Sequence, residues 1–134
     1  MKRALAYILA AAILFASLTA CSQNAATTIR LMKIEGTVGV ADGNGREVQP
    51  REDLMIYSGY GMSTAPVSYA WMNLDAVKLA KMDEDSAIQI EKSGKNLEIV
   101  VDRGGLFFNI TEPLAEDETM NIRTSGMMVG IRGT

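Results

Sequence analysis

From Ile29 onward, apolar and polar residues alternate with period two, and turn-forming clusters interrupt the alternation about every eight to twelve residues. No long stripe of helical period competes with it, so the pattern predicts an all-β domain of short antiparallel strands. Ile34 to Val40 alternates, and Asp42-Gly43-Asn44-Gly45 supplies residues that tolerate positive φ, which predicts a hairpin into Arg46-Glu47-Val48. Gly36 and Gly39 mark a bulge or a close backbone contact. Leu54 to Tyr57 follows the loop at Pro50. Tyr69-Ala70-Trp71-Met72-Asn73-Leu74 is apolar on both faces, as a central strand would be, and Asp75-Ala76 turns it back into Val77-Lys78-Leu79. After the acidic turn Asp83-Glu84-Asp85-Ser86, Ile88 and Ile90 alternate with Gln89 and Glu91. Leu97, Ile99 and Val101 then alternate with Glu98 and Val100, and Gly104-Gly105 is expected to close a hairpin into Leu106, Phe108 and Ile110, leaving Phe107 outward. Beyond Pro113 and Glu116-Asp117-Glu118 come Met120 to Thr124 and Met127 to Arg132. The sequence stops at Thr134 in mid-strand, and the expectation is a C-terminally truncated domain.

The N-terminus reads differently. Lys2 and Arg3 precede an apolar run from Ala4 to Leu18 broken only by Ser17, too short to span a ~30 Å hydrocarbon core comfortably but suited to an export signal. Leu18-Thr19-Ala20-Cys21 resembles the bacterial lipobox, in which a Cys after small residues is acylated through sulfur and becomes the mature N-terminus. Residues 1–20 are thus expected to be a helical signal peptide, 21–28 a short tether, and 29–134 one β domain. A diacylglyceryl group on Cys21 supplies two acyl chains, enough for stable membrane anchoring, and places the domain outside the cytoplasm, at the cell surface or the periplasmic face. Removing residues 1–20 takes only Lys2 and Arg3 from the charge count, leaving 11 basic against 16 acidic groups, a net −5.

Composition narrows the chemistry. The chain has no His and one Cys, which excludes Ser-His-Asp and Cys-His catalysis, His-ligated zinc and an internal disulfide. Its scattered Lys and Arg argue against nucleic acid as a partner. Asp42, Asn44 and Asp53 fit three positions of a calcium-loop template, but Arg46 and Glu47 break it, so a hairpin turn is preferred. The Met residues follow the strands without a tight Met-x-x-Met array, which reads as core filling rather than copper ligation. No metal and no cofactor are expected. The acidic clusters at Asp83–Asp85 and Glu116–Glu118 read as surface turns rather than an acid and base pair, and the protein is read as a non-enzyme. Tyr60 and Trp71 are the ligand-binding candidates among the aromatics. Trp71, between small and apolar neighbours, is expected in the core, and Tyr60, between two glycines, at the surface. Arg123 and Arg132 sit inside apolar strands, so one of them is expected to reach a carboxylate, a carbonyl row or the solvent edge.

Several segments in order resemble the FecR protein domain family: Ile34-Glu35-Gly36-Thr37-Val38, Leu54 to Tyr57 leading to Ser58-Gly59-Tyr60-Gly61, and Trp71-Met72-Asn73-Leu74-Asp75. The resemblance continues through Val77-Lys78-Leu79, Gly105-Leu106-Phe107-Phe108-Asn109, Asn121-Ile122-Arg123-Thr124 and Val129-Gly130-Ile131-Arg132-Gly133-Thr134, the last being the most specific. It implies a non-enzymatic extracytoplasmic β domain, solenoid-like or a rolled sandwich. The family's namesakes relay a ferric-siderophore signal through a spanning helix and a cytoplasmic anti-sigma segment. A processed lipoprotein has neither, so the expectation here is a lipid-anchored binding or signal-relay module with an envelope protein partner. The alternative is a structural domain recognising cell-wall glycan. Ligand and oligomeric state stay open.

Overall fold

A computed structural model describes residues 28–133. The expected signal helix, the lipobox Leu18-Thr19-Ala20-Cys21, most of the tether and Thr134 lie outside the described residues. The domain is all-β. Its strands are β1 (Ile29–Glu35), β2 (Val38–Ala41), β3 (Glu47–Val48), β4 (Leu54–Ile56), β5 (Gly61–Thr64) and β6 (Tyr69–Asn73), followed by β7 (Lys78–Met82), β8 (Ala87–Ser93), β9 (Asn96–Arg103), β10 (Leu106–Ile110), β11 (Thr119–Arg123) and β12 (Met128–Arg132). They form a five-stranded sheet in the order β10-β7-β6-β1-β4 and a seven-stranded sheet in the order β12-β11-β9-β8-β5-β2-β3.

The period-two pattern sets which side chains each sheet turns inward. Leu31, Ala70, Met72, Ala80 and Met82 from the first sheet meet Val38, Val40, Met62, Ile88, Ile90, Ile99 and Met120 from the second in one core. Four of the methionines fill that core, whereas Met32, Met55, Met127 and Met128 are exposed, so core filling accounts for only part of the set. The predicted hairpin at Asp42 is present. Asp42 Oδ1 accepts the amides of Asn44 (2.8 Å) and Arg46 (2.9 Å), and Val40 pairs with Val48 across the turn. Gly36 adopts φ +75, and a Cβ there would lie 2.3 Å from Ser68 Oγ, the close approach expected of that glycine.

Two expectations about pairing are corrected. Leu97 to Ile110 is not a hairpin: β9 pairs with β8 and β11, while β10 crosses to the other sheet and pairs with β7, Leu106 opposite Met82. The reason lies at Ser86, a fully buried residue. Its Oγ accepts the Gly105 amide (3.0 Å) and donates to the carbonyl of Glu84 (3.1 Å), while the Asp83 amide donates to the Gly105 carbonyl (3.0 Å). Gly104, at φ +82, is pressed so close to Ser86 that a Cβ would lie 2.5 Å from its Cα. These contacts fasten the Gly-Gly turn to the end of β7. The second correction follows from the first. Because β10 carries the chain back to the end where β9 began, β11 leaves parallel to β9, Thr119 opposite Asn96, and not every pairing is antiparallel.

Candidate functional site

Two features could engage another molecule. The first is a cleft of about 720 Å³ at the end of the sandwich where β1 starts. Its walls are apolar, from Ile29, Ile56, Leu74 and Leu97, with Tyr57 at the side. Lys78 lies against it. By register Lys78 is an inward position of β7, opposite Ile110 and in line with Ala80 and Met82, and it is only 2% exposed. A charge placed there must be paired. Lys78 Nζ bridges the carboxylates of Asp75 and Glu118, the latter at 2.6 Å.

Each carboxylate is held in turn. Asp75 Oδ1 accepts the amides of Val77 and Lys78, both at 2.9 Å, which makes the turn between β6 and β7. Glu118 Oε2 accepts the Ala115 amide (3.1 Å), and the Glu118 carbonyl accepts the Gly133 amide (3.3 Å). Burial alone would raise the Asp75 carboxyl, but the hydrogen bonds from Lys78, Val77 and the Lys78 amide outweigh it and hold Asp75 below the usual carboxylate range. Burial would likewise lower the Lys78 ammonium, yet its bonds to Asp75 and Glu118 prevail and raise it. Lys92, on the same cleft, is lowered by burial, partly offset by Asp75 and Glu118 and reinforced by Lys78. Lys95 reaches Asp117 at 2.7 Å on the rim.

The second feature is the outer face of the five-stranded sheet. Trp71 lies here, half-buried, and this corrects its expected place in the core: β6 turns Ala70 and Met72 inward, and parity sends Tyr69 and Trp71 out. Lys33 Nζ lies 4.6 Å from the Trp71 ring centroid, and Lys81 Nζ lies 4.6 Å from Tyr69 and 5.3 Å from Trp71. The Glu84 carboxylate, with burial and with Asp83 and Glu35, pushes the Tyr69 phenol above its ordinary value. Tyr60 is also corrected. It is half-buried against the core and meets Tyr57 edge-on at 5.6 Å, and Tyr57 is the exposed partner. The two ligand-binding candidates therefore belong to different surroundings.

The remaining predicted positions have structural roles. Gly130, Ile131, Arg132 and Gly133 belong to β12 and its end. Ile131 packs on the core, Arg132 is exposed, and a Cβ on Gly133 would lie 1.8 Å from the Ala115 carbonyl oxygen. This motif thus clamps the loop that presents Glu118 to Lys78. Arg123 finds a carboxylate, Glu98 at 2.9 Å, as expected of one of the two arginines. The acidic clusters differ from one another. Asp83 to Asp85 form a turn, whereas Glu118 lies on the cleft rather than in a surface turn. Lys78 was missed, although one signal in the sequence marks it: a lone cation at the inward parity of an apolar strand. Comparison of the chain with family models, curated proteins and solved structures gave no match.

Proposed function

We propose that this chain is a lipid-anchored, extracytoplasmic binding or signal-relay module of the bacterial envelope, of the FecR type, that works without catalysis. The observation that carries the reading is where the cleft lies. Thr28 and Ile29, the first described residues after Cys21, line it, and seven residue steps span at most about 25 Å. A tether fixed at Cys21 would thus keep the cleft close to the membrane and to any receptor or regulator embedded there. The cleft's chemistry suits recognition: apolar walls give area, and the Lys78, Asp75 and Glu118 cluster gives a fixed polar feature. That cluster is a poor acid and base pair, because both carboxylates are committed to the same ammonium.

The test is the intact mass and membrane partition of the expressed protein beside Cys21→Ser. The expected result is a diacylglyceryl mass on a chain beginning at Cys21, with loss of the lipid and release or precursor accumulation in the variant. An unprocessed chain that keeps residues 1–20 would overturn the anchor. Recovery of one membrane protein from envelope extracts through the cleft, abolished by Tyr57→Glu at an exposed position of its wall with the unfolding midpoint unchanged, supports relay, and retention on purified peptidoglycan without a protein partner would overturn it.

A further inference from the structure

The two outer faces of the sandwich differ in kind. On the seven-stranded sheet, parity turns out Gln89, Glu91, Glu98, Asn121 and Arg123 with small residues of β2 and β5, and register sets Val100 and the exposed Met128 beside them, a mixed surface in which the carboxylates of Glu91 and Glu98 offset Arg123. The five-stranded sheet presents two rows instead. Register places Met55, Arg30, Asn73, Leu79 and Asn109 side by side across all five strands, and Lys33, Trp71, Lys81 and Phe107 across four. These rows hold three cations and no carboxylate, on a domain that is acidic as a whole, and one of the three, Lys33, is ion-paired at 2.5 Å with Glu35 of the adjoining row, which leaves Arg30 and Lys81 as the cations without an acidic neighbour in their rows. Glu35, Tyr69, Asp83 and Glu84 lie beyond the second row and bound the basic area on that side. Within it Phe107 is 59% exposed, Leu79 46% and Met55 39%, although each lies on a strand that could have carried a polar residue there.

From this face we infer that the five-stranded sheet docks on an anionic phospholipid bilayer, laying Trp71, Phe107, Leu79 and Met55 at headgroup level and Arg30, Lys33 and Lys81 against lipid phosphates. Two observations choose this occupant. The charge is complementary to an anionic surface and opposite to the domain's own excess, and β1, which supplies Arg30 and Lys33, begins eight residue steps after Cys21. The residue types are those that settle at a membrane interface, where amphipathic rings and long basic side chains keep one end wet and one end apolar. The inference rests on the anchoring proposed above. With the domain held at the surface, docking needs only a weak face.

The chain has a single tryptophan, so its emission reports on this face alone. The full processed protein is reconstituted in phosphatidylglycerol or phosphatidylcholine vesicles carrying a spin-labelled quencher at headgroup level, and flotation and Trp71 emission are read together. Expected are a blue shift and quenching in phosphatidylglycerol only, reversed by salt. Replacing Lys33 and Lys81 by Gln should weaken docking roughly 25-fold, at about fivefold per basic side chain, and Phe107→Ser should weaken it without changing the salt slope. Flotation with no change in Trp71 on phosphatidylglycerol would overturn the docking face and leave the anchor standing. A shift and flotation confined to phosphatidylglycerol, on a chain lacking the diacylglyceryl mass, would support the face and overturn the anchor. Failure to float on either vesicle, without that mass, would overturn both. A Trp71 shift with soluble peptidoglycan fragments and none with phosphatidylglycerol would assign the face to glycan and overturn the inference.

Discussion

Lys78 is the residue on which the cleft end of the domain depends. Replacing it by Met leaves Asp75 and Glu118 facing each other without their cation, and should cost about 3 kcal/mol by denaturant unfolding, as removal of one partner from a buried charge cluster does. The sign of its pH dependence is fixed by the two shifts. Asp75 is depressed, so its contribution is present above the unfolded-state carboxylate pKa and is lost as pH falls through the lower folded value. Lys78 is raised, so its contribution is present below the unfolded-state lysine pKa and is lost as pH rises through the higher folded value. Wild type should therefore lose stability toward acid at this site, whereas the gap between wild type and Lys78→Met should shrink there, because protonation relieves the orphaned carboxylates. A gap that stays constant between pH 7 and 3 would refute this account. Val67 poses the opposite problem. It is exposed and β-branched, yet it holds φ 51, a conformation in which a Cβ crowds the backbone. Val67→Gly should raise stability by about 1 kcal/mol, read as a higher denaturant midpoint at unchanged slope. Neither residue stands out by composition. Lys78 was legible only through strand parity, and the strain at Val67 is set by the Glu84 carboxylate accepting its amide at 2.7 Å, a contact made across the loop and invisible in the local sequence.

Among the elements, the β9 to β10 connection separates what alternation encodes from what it does not. Period two assigned the inward set of both strands: Leu97, Ile99 and Val101 are buried, Leu106, Phe108 and Ile110 pack on the core, and Phe107 faces out. It could not assign the partner, since a hairpin and a crossover between sheets need the same parity. What decided between them was Ser86, whose buried hydroxyl holds the Gly-Gly turn, and a serine after an acidic turn carries no such message in sequence. Gly104→Ala should consequently be more damaging than Gly94→Ala. Both glycines have positive φ, but the space around Gly94 is open, so its substitution should cost about 1 kcal/mol for the backbone conformation alone. At Gly104 the added methyl meets Ser86 backbone, and the loss should exceed that by about 2 kcal/mol, in the range of overpacked sites. Equal losses would mean that the Ser86 contact does not hold the crossover. The Asp42 turn was legible for the converse reason: its determinants, Asp42 and the glycines that follow, lie within the turn itself.

For the whole molecule, the question is how the proposed tether would act together with the outer face of the five-stranded sheet. An acidic domain of net −5 on an anionic surface is repelled as a body, and the basic rows of the five-stranded sheet offer the orientation in which attraction prevails. Such an orientation is weak, and the tether would make it sufficient by holding the face at high effective concentration. Lengthening the tether tests this without touching the fold. Inserting about ten Gly and Ser residues between Ala25 and Ala26 raises the steps from Cys21 to Thr28 from seven to about seventeen, and effective concentration should fall roughly fourfold if it follows the −3/2 power of length. On phosphatidylglycerol vesicles the inserted variant should float as wild type does, with its unfolding midpoint unchanged. Its Trp71 quenching should reverse at lower salt, because the same attraction would compete against more freedom. Reversal at the same salt would mean that the face holds to the bilayer independently of the tether, and quenching that no salt reverses would mean that charge does not set the docking at all.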